Sequence, residues 1–224
     1  MNDHAFTLAG AALEARSSGA LWWPERRVLV VSDLHLGKSE RIARFGGAML
    51  PPYETQDTLA RLDGEIAATG PGCVICLGDS FDDLAATAGV SDEITGWLTR
   101  LMAGRRWVWI EGNHDPGPLG LGGTHLVDLP MAPLSFRHIA RVGASGEVSG
   151  HYHPKASISA RGRRVSRPCF LYDNNRVILP AFGTYTGGLR STAPELAHLM
   201  RPEARAVLTG TVARVVPMPG RVDR

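Results

Sequence analysis

The first half of the chain alternates short, uninterrupted apolar runs with stretches of helical periodicity. Residues 27–32, 73–77 and 107–110 read RVLVVS, CVICL and WVWI, and they end at Asp33, Gly78-Asp79 and Gly112-Asn113. Continuous apolar runs of this length, separated by helical stretches, predict parallel strands buried on both faces. Helices are expected over residues 39–45, over 53–69 following Pro51-Pro52, and over 92–102. Leu59, Leu62 and Ile66 fall on one face of the second, and Ile94, Trp97, Leu98 and Leu101 on one face of the third. Residues 6–31, punctuated by Gly19 and Pro24, predict an initial pair of strands. From Met131 the pattern turns to short strands at 134–137, 147–149, 156–160, 170–172 and 177–179, with an edge strand at 209–216 and a frayed end beyond.

Alternating helices and strands followed by a strand-rich half imply an α/β fold of two sheets packed face to face with helices outside. At 224 residues and 44% hydrophobic content, a single domain is expected, with 194–224 as a peripheral C-terminal segment. Repeats, heptads and low-complexity tracts are not evident. With no basic, apolar-cored leader at the amino terminus and no apolar stretch near the ~18 residues of a membrane span, the expected location is cytoplasmic. Cys73 and Cys76 have C-x-x-C spacing inside an apolar strand pattern, and no second pair completes a zinc site. These two and Cys169 are expected as buried thiols. Trp22 and Trp23 are assigned to core packing ahead of base stacking.

The net charge is only +2, but it is unevenly spread. Residues 137–224 carry 14 Lys and Arg against 5 Asp and Glu, while the first 136 carry 10 against 17. A basic second half suits an anionic polymer, and Lys155, Arg161, Arg163, Arg164 and Arg167 are its densest cluster. A solvated Arg-rich hairpin accounts equally well for that cluster. Arg164 and Arg167 are the candidates for holding phosphate, and Tyr185, in a Gly/Thr-rich loop, for lining the cleft.

Candidate chemistry sits at the strand ends. Asp33-Leu34-His35, Gly78-Asp79-Ser80-Phe81-Asp82, Gly112-Asn113-His114-Asp115, His138 and Gly150-His151-Tyr152-His153 occur in that order. A two-ion phosphoesterase centre holds its cations about 3.5–4 Å apart with one bridging carboxylate and a mixed imidazole and oxygen shell. Asp79 is the expected bridge; Asp33, His35 and His153 would hold one ion, and Asn113, His138 and His151 the other. A hydroxide shared by the ions would attack phosphorus in line. His114 is expected to protonate the departing oxygen, with Asp115 orienting its ring. His138 is preferred over His125 as the isolated ligand, because residues 134–137 read as a strand ending there whereas His125 follows Gly122-Gly123-Thr124.

These motifs resemble those of the calcineurin-like metallophosphoesterase superfamily, which run D-x-H, G-D-x-x-D, G-N-H-[DE], an isolated His and G-H-x-H. Asp33-Leu34-His35-Leu36-Gly37-Lys38, Gly150-His151-Tyr152-His153-Pro154, Pro168-Cys169-Phe170 and residues 179–188 (LPAFGTYTGG) resemble its bacterial DNA ligase-associated endonuclease branch, over roughly residues 6 to 190. The donor set of carboxylate, amide oxygen and imidazole suits manganese, iron, zinc or cobalt, and the resemblance implies a four-layer αββα sandwich and two divalent ions, with manganese first among them. It also implies endonucleolytic cleavage of single-stranded DNA in a repair setting with a ligase and a helicase. Two positions depart from the pattern. Ile139-Ala140 follow His138 where many relatives carry an acidic residue and Pro, and Asp82 stands where many carry His. The alternatives are a phosphoesterase for a cyclic nucleotide, a nucleotide-linked sugar or a phosphoprotein, and a non-catalytic scaffold. The scaffold would be marked by missing ligands, and none is missing.

Overall fold

The computed structural model describes residues 3–44, 46, 53–82, 91–117, 120–160 and 162–218. The first sheet has seven strands in sequence order: β1 (His4–Leu8), β2 (Ala11–Ala15), β3 (Leu21–Trp23), β4 (Val28–Val31), β5 (Cys73–Leu77), β6 (Arg106–Ile110) and β7 (Thr124–Leu126). β1 to β4 pair antiparallel and β4 to β7 parallel. Parallel neighbours need long crossovers. The connections from β4 to β6 contain α1 (Lys38–Arg44), α2 (Glu54–Thr69) and α3 (Asp92–Met102).

The second sheet is built from β8 (Asp128–Met131), β9 (Leu134–Arg137), β10 (Glu147–Ser149), β11 (Lys155–Ala160), β12 (Arg163–Tyr172), β13 (Arg176–Ile178), β14 (Arg205–Leu208) and β15 (Arg214–Pro217). Its order is β15-β14-β12-β13-β10-β9-β8, with β11 paired on β12. β9, β10 and β13 run parallel and the other pairs antiparallel.

Three apolar layers explain the uninterrupted runs. Along β4, Val28 and Val30 face the second sheet, packing in the layer that holds Ile75, Val108, Phe136, Val148 and Val177. Leu29 and Val31 face the other way, toward Leu59, Leu62, Ile66 and Leu98 of α2 and α3. Successive strand residues point to opposite faces, so a strand buried on both faces must be apolar throughout. The third layer packs Cys169, Leu171 and Ile178 against Leu196 of α4 (Pro194–Leu199) and Met200. The layers are therefore helix, sheet, sheet, helix, as expected.

Differences lie where the pattern is short or polar. Three strands precede β4, not two, because Ala9-Gly10 makes a tight turn with both φ values positive, 49° and 88°. β7 and β8 escape the periodicity, being 3 and 4 residues long. β12 starts at Arg163, not 170, since its Arg-rich end is half of a hairpin with β11. The segment expected to be peripheral instead supplies α4, β14 and β15, and Leu196, Met200, Ala206 and Met218 are buried. Phe45, Pro51-Pro52, Arg161 and residues 219–224 lie outside the described residues. Among those described, no helix is long and apolar enough to cross a membrane.

Candidate metal centre

The strand ends converge as the sequence leads one to expect. Asp33 and His35 follow β4, Asp79 and Asp82 follow β5, and Asn113 to Asp115 follow β6; His138 follows β9, while His151 and His153 follow β10. The centre thus lies beyond the carboxyl ends of parallel strands from both sheets. Asp33, His35, Asp79, His151 and His153 all take left-handed backbone conformations, with φ of 53°, 46°, 45°, 71° and 45°. Non-glycine residues adopt this region at a cost, and such strain concentrates at functional sites. Close approach also demands glycine here: a Cβ on Gly78 would collide with the His138 ring, and one on Gly112 with the Asp79 backbone.

Two ligand groups form side by side. Asp33, His35 and His153 make one, with His153 Nε2 3.2 Å from Asp33 Oδ1 and 3.4 Å from His35 Nε2. Asp79, His138 and His151 make the other, with His138 Nε2 3.3 Å from Asp79 Oδ2 and 3.2 Å from His151 Nδ1. Asn113 Oδ1 joins the second group, 3.0 Å from His138 Nε2.

Tautomers decide what these groups can hold. His35 Nδ1 faces the Asp82 carboxylate at 2.8 Å and His138 Nδ1 faces the Leu77 carbonyl at 2.9 Å, so each δ nitrogen carries a donated proton. In the neutral form each ring would point its Nε2 lone pair inward, at the nitrogens of His153 and His151. Lone pairs that close repel unless a proton or a cation lies between them. Asp33 Oδ1 is buried with no hydrogen-bond donor, a vacancy in its valence that a cation fills. The residues therefore fit two divalent ions.

The electrostatics agree. Burial pushes the carboxyls of Asp33 and Asp79 up, but the His153 and His138 imidazoles beside them outweigh it, holding both down, Asp79 at about 2. Burial pushes His138 down, yet the Asp79 and Asp33 carboxylates raise it to about 9. Two buried carboxylates thus concentrate negative potential on one point and keep a positive charge there. His151 is lowered by burial and by the His138 charge, which leaves it a neutral ligand.

Around the centre, one expected role changes. Asp115 does not orient His114: its Oδ2 accepts the Ser80 and Phe81 N–H groups at 2.8 and 3.2 Å, and its Oδ1 that of Gly112 at 3.1 Å. It braces the turn after β5 against the turn after β6, and burial together with the Asp79 charge raises it to about 6. The His114 ring is held by the Asp82 carbonyl, 2.8 Å from Nδ1, while the His114 N–H donates to Asp79 Oδ1 at 2.9 Å. Asp82 has a second task, since its carboxylate binds His35, Arg41 at 3.0 Å and Lys38 at 3.5 Å. Burial opposes its ionisation, but the bonds to His35 and Arg41 hold it well below the usual carboxylate range. The Lys38 and Arg41 spacing, one helical turn apart, was the available signal for such an anchor.

His125 lies on β7, stacked on Trp109 with ring centroids 6.4 Å apart, outside both groups. Trp22 and Trp23 are core residues, and all three cysteines are buried free thiols. Tyr185 has φ 62°, and its ring centroid lies 6.0 Å from that of the exposed Tyr53. Its loop is tied to ligand segments at both ends, Gly183 N–H to the Asp33 carbonyl and Leu189 N–H to that of Tyr152. Arg164 and Arg167 are exposed on β12, opposite Ser159 and Ala156 of β11, so they point to opposite faces of the hairpin. Among the described contacts, none joins either to a ligand residue.

Residues 26–182 match the sequence profile of the family described as Calcineurin-like phosphoesterase. The crystal structure of Pseudomonas putida nuclease MPE superposes with a TM-score of 0.73 at 32% identity, covering 92% of this chain and 96% of that one. A conserved uncharacterized protein from Streptococcus pneumoniae, described as a predicted phosphoesterase, aligns over 85% of this chain and 96% of its own at 10% identity. Its TM-score of 0.31 is too low to add to the comparison. Comparison with the curated proteins finds no match.

Proposed function

The chain belongs to the calcineurin-like phosphoesterase family, and from that premise we propose a divalent-metal-dependent nuclease that hydrolyses phosphodiester bonds in single-stranded DNA. The observation that carries this reading is the pair of adjacent ligand groups whose inward lone pairs and donor-free Asp33 oxygen call for cations. The choice of DNA is supported by 32% identity over 92% of the chain to a nuclease.

Asp33, His35 and His153 would hold one ion and Asn113, His138 and His151 the other, with Asp79 between them. Bound divalent ions supply charge neutralisation at the phosphate and water acidic enough to attack at neutral pH. The carboxylate, amide and imidazole set suits manganese, iron, zinc or cobalt, and the likeness to the ligase-associated branch favours manganese, which we propose as the working metal. The protein's own part is positioning and proton delivery. The Asp82 carbonyl fixes His114 through Nδ1, leaving Nε2 to pass a proton to the departing sugar oxygen, a poor leaving group without one. Asp82 also locks the His35 ring, and Asp115 locks the two turns that carry Asp79 and Asn113. Tyr185, Arg164 and Arg167 are proposed to contact the strand outside the centre. The likeness to the ligase-associated branch supports work beside a DNA ligase and a helicase.

The test is competition at one centre. With manganese present, single-stranded DNA should inhibit hydrolysis of bis-p-nitrophenyl phosphate competitively. Hydrolysis unaffected by saturating DNA would move the substrate to a smaller phosphate ester.

A further inference from the structure

A cleft of about 420 Å3 opens beside the second ligand group, and Asn113 and His138 themselves form part of its wall. That volume lies in the range of small-ligand pockets. Its lining includes Val127 and Ile139, which are 63% and 46% exposed. Both are at the seam of the fold. Val127 is the single residue between β7 and β8, where the chain leaves the first sheet and enters the second. Asp128 pairs with Arg137 across β8 and β9, so one further step of that register sets Val127 opposite His138, and Ile139 follows His138 directly. The cleft's cations are already placed: Arg141 lies 2.7 Å and Arg137 3.3 Å from the Asp128 carboxyl, offsetting its charge, and Arg141 stays 61% exposed.

We propose that the Val127–Ile139 shelf is a nucleobase subsite, holding the base of a nucleotide next to the scissile phosphate. The inference rests on the nuclease reading above and specifies what that centre recognises beyond phosphate. A phosphate at the ion site hands the chain of the polymer directly to this cleft, because the two share Asn113 and His138. An exposed aliphatic pair gains by leaving water when an apolar face covers it, and every base offers such a face. Aliphatic contact with a base face reads the presence of a base and not its identity. Cleavage should accordingly be tolerant of sequence but dependent on bases.

The experiment compares a 20-nucleotide oligothymidylate with an abasic oligonucleotide of the same length and charge, for the manganese-loaded wild type and for the double variant Val127→Ser, Ile139→Ser. Both positions are exposed, and bis-p-nitrophenyl phosphate turnover checks that the centre is intact in the variant. The expected result is wild-type kcat/KM at least fivefold higher on thymidylate than on abasic DNA, with that preference falling below twofold in the variant. Activity of the variant on abasic DNA should remain within twofold. A preference unchanged by the double substitution, or equal losses on both oligonucleotides, would overturn the subsite and leave the nuclease reading standing. Turnover of bis-p-nitrophenyl phosphate with neither oligonucleotide cut would overturn the nuclease reading, and the subsite with it.

Discussion

At the scale of single residues, the proposed proton step falls to the His114 ring held by the Asp82 carbonyl. His114→Ala should keep metal occupancy yet lose about a hundredfold or more in turnover on DNA, within the range of general acid catalysis. Loss on a p-nitrophenyl ester should be under about tenfold, because p-nitrophenolate leaves without protonation; equal losses would remove His114 from that role. A second contrast separates two histidines close in sequence. His138→Ala should lower bound metal by about one equivalent per chain, measured by elemental analysis after dialysis, whereas His125→Ala should leave it unchanged. The reverse would reassign the ligand. The motif spacing made the seven proposed ligand positions legible as one cluster, because each follows an apolar run or a glycine turn. The partner of His114 was not legible. Asp115 is its neighbour in sequence, but local proximity misled: the backbone turn spends that carboxylate on three N–H groups, and the ring is met by a carbonyl from another strand end.

At the scale of elements, a buried ion pair fixes the strands that carry His138, His151 and His153. Glu147 on β10 is fully buried and binds Arg176 of β13 at 2.9 Å, Arg137 of β9 at 3.0 Å and the Arg141 N–H at 2.9 Å. Arg176 in turn donates to the Arg141 and Ala144 carbonyls, closing the loop between β9 and β10. Glu147→Ala would leave two guanidinium groups facing a cavity, and should cost about 3–5 kcal/mol of stability. Urea unfolding of the variant measures this, and a loss below about 1 kcal/mol would contradict it. Sequence pattern caught the β4, β5 and β6 strands because burial on both faces leaves only apolar residues. It lost the start of β12, whose polar residues pair with β11 outside the core, and it lost β7 and β8, too short to show a period.

At the scale of the whole molecule, two sheets pack face to face so that parallel strand ends from both open on one edge, and the ligand set is complete only when they do. Residues 194–218 show why that edge holds. Read as peripheral, they bury Leu196, Met200 and Leu208 and extend the second sheet by two strands, covering a face that would otherwise meet water. Their hydrophobic positions are scattered over a short helix and two short strands, which no single period reveals. The uneven charge along the chain belongs to this scale too, since the acidic half contributes Asp33 and Asp79, which bound ions would offset. These two strand-end groups are proposed to make one metal-dependent cutting site for DNA. The direct measurement is an assay of metal-stripped protein, resupplied with manganese, on labelled circular single-stranded DNA, with Asp79→Ala alongside. Linear products that require manganese and vanish in Asp79→Ala are the predicted result. Circles left intact by a protein that still hydrolyses bis-p-nitrophenyl phosphate would contradict it.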